Sequence, residues 1–179
     1  LYIATDFGVV VYDILARETQ YSVVKIANNA TGSVVSSVAI AQGRLWVTMG
    51  TLGVWSVDLQ VGSPSQPDMW EKESGRAALP LGRSNYICMA SEEVYAQVND
   101  TIFKKLPGLP WQRSAFPDEE WNYFNSDGAN VYGTFRRSGF VLQYADGNMV
   151  QGDNLGKIMC TAVSRYGNAM IGDSLGGFQ

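Results

Sequence analysis

The sequence contains no histidine. That removes the side chain most often used as a general base near neutral pH and as an imidazole metal ligand. Cysteine is nearly as scarce, with only Cys88 and Cys160, far apart and without a CxxC pair. Two thiols build neither a disulfide scaffold nor a metal site. Apolar neighbours, Ile87 and Met89 for one and Met159 and Ala162 for the other, read each as a buried free thiol. Basic clusters are missing too. Lys and Arg number 13 against 17 Asp and Glu, the net charge is −4, and the longest basic runs are the pairs Lys104-Lys105 and Arg136-Arg137. Nucleic-acid binders need a basic stripe to neutralise phosphates, so that partner class is set aside. Apolar runs stay strand-sized, as in Gly8 to Tyr12, far short of the roughly 20 residues of a membrane span. No segment of ten or more residues carries a helical stripe; the best candidate, Pro117 to Asn122, is a single turn at most. The text opens at Leu1, directly in a strand-like segment with no signal peptide, which gives no compartment.

What is present is a folded composition, 46% hydrophobic and 17% charged over 179 residues, enough for one domain with a sizeable core. The 19 glycines and 6 prolines have no period of three, which excludes collagen.

The strongest signal is an internal repeat. Leu1 to Asp13 reads LYIATDFGVVVYD and Leu45 to Asp58 reads LWVTMGTLGVWSVD. Each has an apolar pentad, a turn ending in glycine, and a second apolar run closed by aspartate. Weaker copies start at Val94 (VYAQV), Val131 (VYGTF) and Ala169 (AMIGD), so the starts fall at 1, 45, 94, 131 and 169. A short strand and a tight turn precede each later pentad: Ser36 to Ala41, Asn85 to Ala90, Trp121 to Ser126 and Ile158 to Ser164. A further strand closes each unit: Thr19 to Ile26, Met69 to Glu73, Trp111 to Phe116 and Asn148 to Gln151. Gly, Asn and Asp in the turns supply the positive φ that hairpins need. Four short antiparallel strands in about 40 residues make one blade of a β-propeller. The widest spacing, 45 to 94, contains a Gly/Pro/Ser loop, Gln60 to Pro67. The pentads are apolar on both faces, Leu45, Val47 and Met49 against Trp46, as sheets stacked around an axis require.

The expected fold is therefore all-β, with residues 1–179 forming about four blades. The first unit lacks its first strand and the fifth stops inside its third. Such a set cannot close into a ring without a surplus strand, so the expectation is an incomplete arc of a larger propeller, with seven blades as the expected total. An open arc would leave unpaired edges and bare blade faces.

Candidate chemistry is thin. Gly172-Asp173-Ser174-Leu175 spells the signature of the GDSL esterases, whose serine is the nucleophile. Here it lies in a hairpin turn, and no histidine exists to activate Ser174, so it reads as inert. Glu92-Glu93 and Glu119-Glu120 are adjacent and point to opposite faces of extended chain, so they read as solvated turns rather than acid/base pairs. Asp127-Gly128 and Asp146-Gly147 lack the further carboxylates of a calcium loop and read as β-turns. Asn29-Ala30-Thr31 and Asn99-Asp100-Thr101 match the glycosylation pattern. Trp46 and Trp55 read as packing between blades. Trp70, Trp111 and Trp121 sit nearer strand ends, where one of them is a candidate for stacking on a sugar or peptide. No catalytic, cofactor or metal residue is expected, and the ligand-binding residues stay unassigned.

LYIATDFGVVVYD resembles the repeat of bacterial two-component regulator propellers, which reads roughly LWIGT-x-x-GL-x-x-YD. Within that group, Phe7 to Asp13 (FGVVVYD), Gly43 to Val57, and the run from Leu79 through Asn99 to Phe103 (NDTIF) into Trp111 are similar to the PorZ-like surface components of the Bacteroidota type IX secretion system. Full-length members have a signal peptide, two propellers and a C-terminal sorting domain, of which this text holds one partial propeller. The resemblance implies a non-enzymatic role in a cell-surface or periplasmic attachment complex, with a sortase-type protease as partner and anionic lipopolysaccharide as ligand. Two other classes stay open. One is the glycan-binding sensor ectodomain of a hybrid two-component regulator. The other is a propeller lyase or glycosidase, which needs carboxylates or histidines converging on the central channel.

Overall fold

The computed structural model describes residues 1–27, 33–76, 78–135, 140–143, 148–152, 158–163 and 169–173, with side chains described up to residue 135 and at 148 and 149. The strands fall into sheets in strict chain order. The first sheet has three: β1 (Tyr2–Thr5), β2 (Gly8–Asp13) and β3 (Glu18–Val23). Three four-stranded sheets follow. They are β4 (Ser37–Ala41), β5 (Arg44–Thr48), β6 (Val54–Asp58), β7 (Glu71–Lys72); β8 (Ile87–Ala90), β9 (Glu93–Val98), β10 (Thr101–Lys105), β11 (Trp111–Arg113); and β12 (Trp121–Ser126), β13 (Val131–Phe135), β14 (Phe140–Gln143), β15 (Met149–Gly152). A last pair, β16 (Ile158–Val163) and β17 (Ala169–Asp173), completes the described strands. Every pairing is antiparallel between neighbours in sequence.

Period-two alternation explains how the sheets stack. Along β5, Leu45 and Val47 join Val9, Val23 and Trp70 in the core between the first and second sheets. Trp46 points the other way, into the core shared with Ile87, Val94 and Ala96 of the third sheet. Along β9 the pattern repeats. Val94, Ala96 and Val98 face the second sheet, while Tyr95 joins Phe116, Trp121 and Phe124 against the fourth. Each central strand is thus buried on both faces, which is why the pentads carry no polar alternation.

The first strands of successive sheets touch in order: β1 with β4, β4 with β8, β8 with β12, and β12 with β16. Outer strands β7, β11 and β15 make no such succession, so the sheets radiate like blades with β4, β8 and β12 innermost. β1 is an edge of its sheet, pairing with β2.

The inner strands are stitched together by side chains that bond to the backbone of a neighbouring blade. Ser37 Oγ donates to Ile87 O (3.0 Å), Gln42 Nε2 to Glu92 O (3.0 Å), and Thr48 Oγ1 to Asn85 O (3.1 Å). One blade on, Ser91 Oγ donates to Ala129 O (3.2 Å), Tyr86 Oη to Asn122 O, and Ser126 Oγ to Met89 O. These hydroxyls and amides serve blade-to-blade contact.

Details of the sequence reading are refined. Pro117 to Asn122, a single helical turn at most by sequence, holds none, because Trp121 begins β12. The 3-10 turn is instead Pro67–Met69, at the end of the long loop, where proline presets φ at the first position. The closing strands β3, β7 and β11 are also shorter than expected, while β15 has the expected length. β7 ends because Ser74 Oγ accepts the Val54 N–H (2.9 Å), so a side chain takes the place of the next ladder bond.

Candidate binding surfaces

The structure resolves most of the candidates by burial. Trp46 and Trp55 sit in strands β5 and β6 as expected, Trp46 fully buried and Trp55 packed against the core with Lys72 Nζ 5.7 Å from its ring. Trp70, Trp111 and Trp121 are buried as well, and none offers a free ring face. The stacking role considered for one of them is therefore corrected. Trp70 donates its Nε1 to Pro64 O (2.9 Å) and Trp111 to Glu73 Oε2 (3.1 Å), while Trp121 packs on Phe116, Phe124 and Phe135. Strand ends in a propeller are covered by the neighbouring blade, so proximity to a turn in sequence does not mean exposure.

Cys88 is buried, and burial pushes its thiol well above the ordinary range. Glu92 is an exposed turn residue, but Glu93 is held in β9, accepting the Tyr95 phenol (2.5 Å) with Lys104 Nζ at 3.8 Å. Glu119 and Glu120 are exposed residues before β12. Asp127 closes a turn: its Oδ1 accepts the N–H groups of Ala129 (2.9 Å) and Asn130 (2.7 Å). Burial pushes its carboxyl up, but those backbone bonds and the Asn130 side chain outweigh it and hold the group below its usual value. Asn99 occupies the β9–β10 turn with φ 54° and accepts the Arg83 N–H (3.1 Å) on Oδ1. Ser174, Asp146-Gly147 and Asn29-Ala30-Thr31 lie outside the described residues, as does the side chain of Cys160. Among the described residues no three His, Cys, Asp or Glu side chains are grouped to hold a metal.

Three of the concave surfaces lie among the described residues. The first, about 510 Å³, is the inward face of β4, β8 and β12, with Ser37, Met89, Asn125 and Ser126 on its wall. The hydroxyls of Ser37, Tyr86 and Ser126 are committed to the stitching bonds above, and burial and the neighbouring Tyr123 push the Tyr86 phenol up. No converging carboxylates line it, which was the sequence criterion for a propeller lyase or glycosidase.

Antiparallel alternation puts the β4–β5, β8–β9 and β12–β13 turns at one end of the stack and the β9–β10 turn and inter-blade linkers at the other. The turn end holds a groove of about 580 Å³ walled by Gln42, Arg44, Met89, Glu92 and Pro107. Arg44 is already spent there. It bonds Ser56 Oγ (3.1 and 3.0 Å), pairs with Glu71 at 3.4 Å, and lies 5.9 Å from the Trp46 ring.

The linker end holds a polar cleft of about 520 Å³ between the third and fourth blades, with Arg83, Asn85, Asn99 and Asp100 at its rim. Gln97 and Trp121 form its floor. Gln97 Nε2 donates to Asn99 O (2.8 Å), but its Oε1 has no partner, nor does Trp121 Nε1 among the described residues. Sequence reasoning named Trp121 only for its ring face and missed Gln97. The signal was there: Gln97 is the one amide in a pentad otherwise apolar on both faces.

No family model matches the chain, and no curated protein matches it. Solved structures do. PorZ, a surface component of the type IX secretion system of Porphyromonas gingivalis, superposes with a TM-score of 0.72 at 16% identity, over 95% of this chain and 22% of PorZ. The extracellular domain of BT4673 from B. thetaiotaomicron, assigned to a one component system, gives 0.69 at 16% identity over 99% of this chain and 25% of that one. The β-propeller domain of Cps50 from Myceliophteria_thermophila gives 0.61 at 12% identity, over 96% and 58%. The groups named from the repeat text are thus found again by shape. At these identities the likeness shows the fold, an all-β array of propeller blades. The chain spans about a quarter of the first two structures' length.

Proposed function

We propose that the chain is an incomplete arc of a larger propeller that binds rather than catalyses, as part of a cell-surface assembly of the type IX secretion kind. The observation that carries this is the match to PorZ over 95% of the chain, reached independently from the repeat text and from the shape. Chemistry supports it. There is no histidine, and on the inward face Ser37, Tyr86 and Ser126 have their hydroxyls bonded to neighbouring blades. Rigid stacks with loops at both ends suit recognition. In its finest form the proposal names a sortase-type protease as partner and lipopolysaccharide as ligand. With a net charge of −4, an anionic lipid would have to meet a local basic patch, so the protein partner carries the greater part of the proposal.

The likeness to the BT4673 extracellular domain favours a second reading, a periplasmic glycan-sensing propeller of a two-component regulator. Deleting the parent gene separates them. Type IX cargo that stays off the surface and fails to mature supports the first reading. Normal cargo with growth lost on one polysaccharide supports the second.

A further inference from the structure

We propose that the linker end of the stack is the contact face of a homodimer, in which two copies of the chain meet about a two-fold axis through the linker between the second and third blades. The argument starts from where exposed apolar side chains collect. Antiparallel alternation puts the β1–β2 and β5–β6 turns at the same end as the linkers. The linker of residues 73–86 carries Leu81, and the β5–β6 turn beside it carries Leu52. Ser84 N–H donates to Gly50 O (2.9 Å), and a Cβ on Gly53 would stand 3.7 Å from Gly82 O, so turn and linker touch. Ser36 N–H donates to Thr48 O (2.8 Å), which brings the segment of Val34 to the same turn. Val35 N–H donates to Thr5 O (3.0 Å), and a Cβ on Gly8 would lie 3.3 Å from Val24 Cα, which adds Val24 and Phe7. All five side chains are exposed, from 40% for Leu52 to 68% for Leu81.

Apolar side chains gathered in one row and rimmed by polar groups mark a contact surface. Further blades of the same ring cannot cover this row. Blades pack on one another's sheet faces, whereas the row lies across the strand ends. What covers it has to approach along the axis of the arc.

Charge selects the occupant. The linkers on either side of Leu81 have opposite signs. Lys25, in the linker from the first blade to the second, and Glu119, in the linker from the third to the fourth, are both exposed. Neither takes part in an ion pair among the described residues. The three linkers follow one another around the arc, with that of Leu81 in the middle. A half-turn about a radial axis through Leu81 therefore lays the first linker of one copy over the third linker of the other. Lys25 then meets Glu119 twice, and Leu81 meets its counterpart. An apolar centre between flanks of opposite charge is complementary to itself, as an isologous two-fold interface requires. A partner of one charge sign would match only one flank. The contact depends on neither the secretion reading nor the sensor reading, so failure of the deletion test leaves it standing.

The test is sedimentation equilibrium of the full-length parent chain. The expected result is a monomer–dimer equilibrium with a dissociation constant of roughly micromolar size. Leu81→Asp should weaken the dimer about tenfold or more, since it puts two carboxylates at the centre of the contact. Lys25→Glu and Glu119→Lys should each weaken it severalfold, because each sets like charges face to face at both flanks. The double variant Lys25→Glu/Glu119→Lys should restore it. All three positions are exposed, and an unchanged urea midpoint shows that each variant is folded. A parent chain that stays monomeric up to about 100 μM overturns the inference. So does a dimer that Leu81→Asp leaves equally tight, or one weakened by Lys25→Glu that Glu119→Lys does not rescue. Growth past the dimer with rising concentration would mean a contact that does not close on itself, and overturns it as well.

Discussion

Trp46 and Trp111 meet edge to face across the second and third blades, ring centroids 5.7 Å apart and planes at 87°. Trp46 comes from the inner half of one blade and Trp111 from the outermost strand of the next, and both are buried to within 2%. The pair closes the core that holds Val54, Leu79 and Val94. Trp46→Ala removes this ring and its Nε1 bond to Ala41 O (3.0 Å). A loss of about 3–5 kcal/mol is expected, read by urea denaturation against the wild type. Trp46→Phe should recover part of it, since it keeps an aromatic ring but gives up the hydrogen bond and part of the indole's volume.

Gly133 carries the second prediction. It lies in β13 opposite Phe124, and a Cβ there would meet Trp121 Cζ3 and Cε3 at 2.5 and 2.7 Å and the Tyr123 carbonyl at 2.9 Å. The Trp121 ring is boxed in by Phe116, Phe124 and Phe135, so it cannot give way. Gly133→Ala is expected to destabilise by about 1–3 kcal/mol through overpacking, in contrast to the slight gain alanine brings at an unconstrained strand glycine. Equal or raised stability in the same urea titration would contradict this.

Gly133 also shows where the text was readable and where it was not. VYGTF was legible as a strand, and so was its place in the repeat, because two-sided burial leaves an apolar pentad between turn residues whatever the neighbours are. The same logic recovered the hairpins that start at residues 1, 45, 94 and 131; the turn after Asp173 lies outside the described residues. What packs on Gly133 was not legible, since Trp121 reaches it from a strand whose register is set in three dimensions. The tryptophan assignment failed for the same reason: Trp111 looks terminal along the chain and is central between two blades. Ser37, Gln42 and Ser126 have no role in the sequence reading, and only the stacking of blades shows them bonded to a neighbouring blade's backbone.

Cys88 gives a chemical prediction. Its side chain lies between the third and fourth blades with Tyr95 and Phe124, and burial strongly favours the neutral thiol. Only the thiolate reacts at useful speed. Iodoacetamide at neutral pH should leave Cys88 unmodified in the folded chain and label it fully in urea, as peptide mapping would show. Labelling of native protein at the rate of a free thiol would mean that these two blades separate readily.

The Asp127 turn tests the electrostatics with a sign that can be worked out in advance. The Ala129 and Asn130 N–H bonds hold the folded-state carboxyl below its ordinary value of 3.8. A depressed folded pKa means that the folded state gives up the proton more easily than the unfolded one. Its stabilisation is therefore complete above that ordinary value and is lost as pH falls through the lower, folded one. Asp127→Ala should speed amide exchange at Ala129 and Asn130 by roughly threefold to tenfold at pH 6, the equivalent of about 1 kcal/mol for the lost acceptor. Asp127→Asn keeps a side-chain oxygen and should show a smaller effect. Below pH 3.8 the gap between wild type and Asp127→Ala should narrow as the carboxylate protonates. A gap that stayed constant down to pH 2 would show that geometry alone, and not the charge, holds this turn.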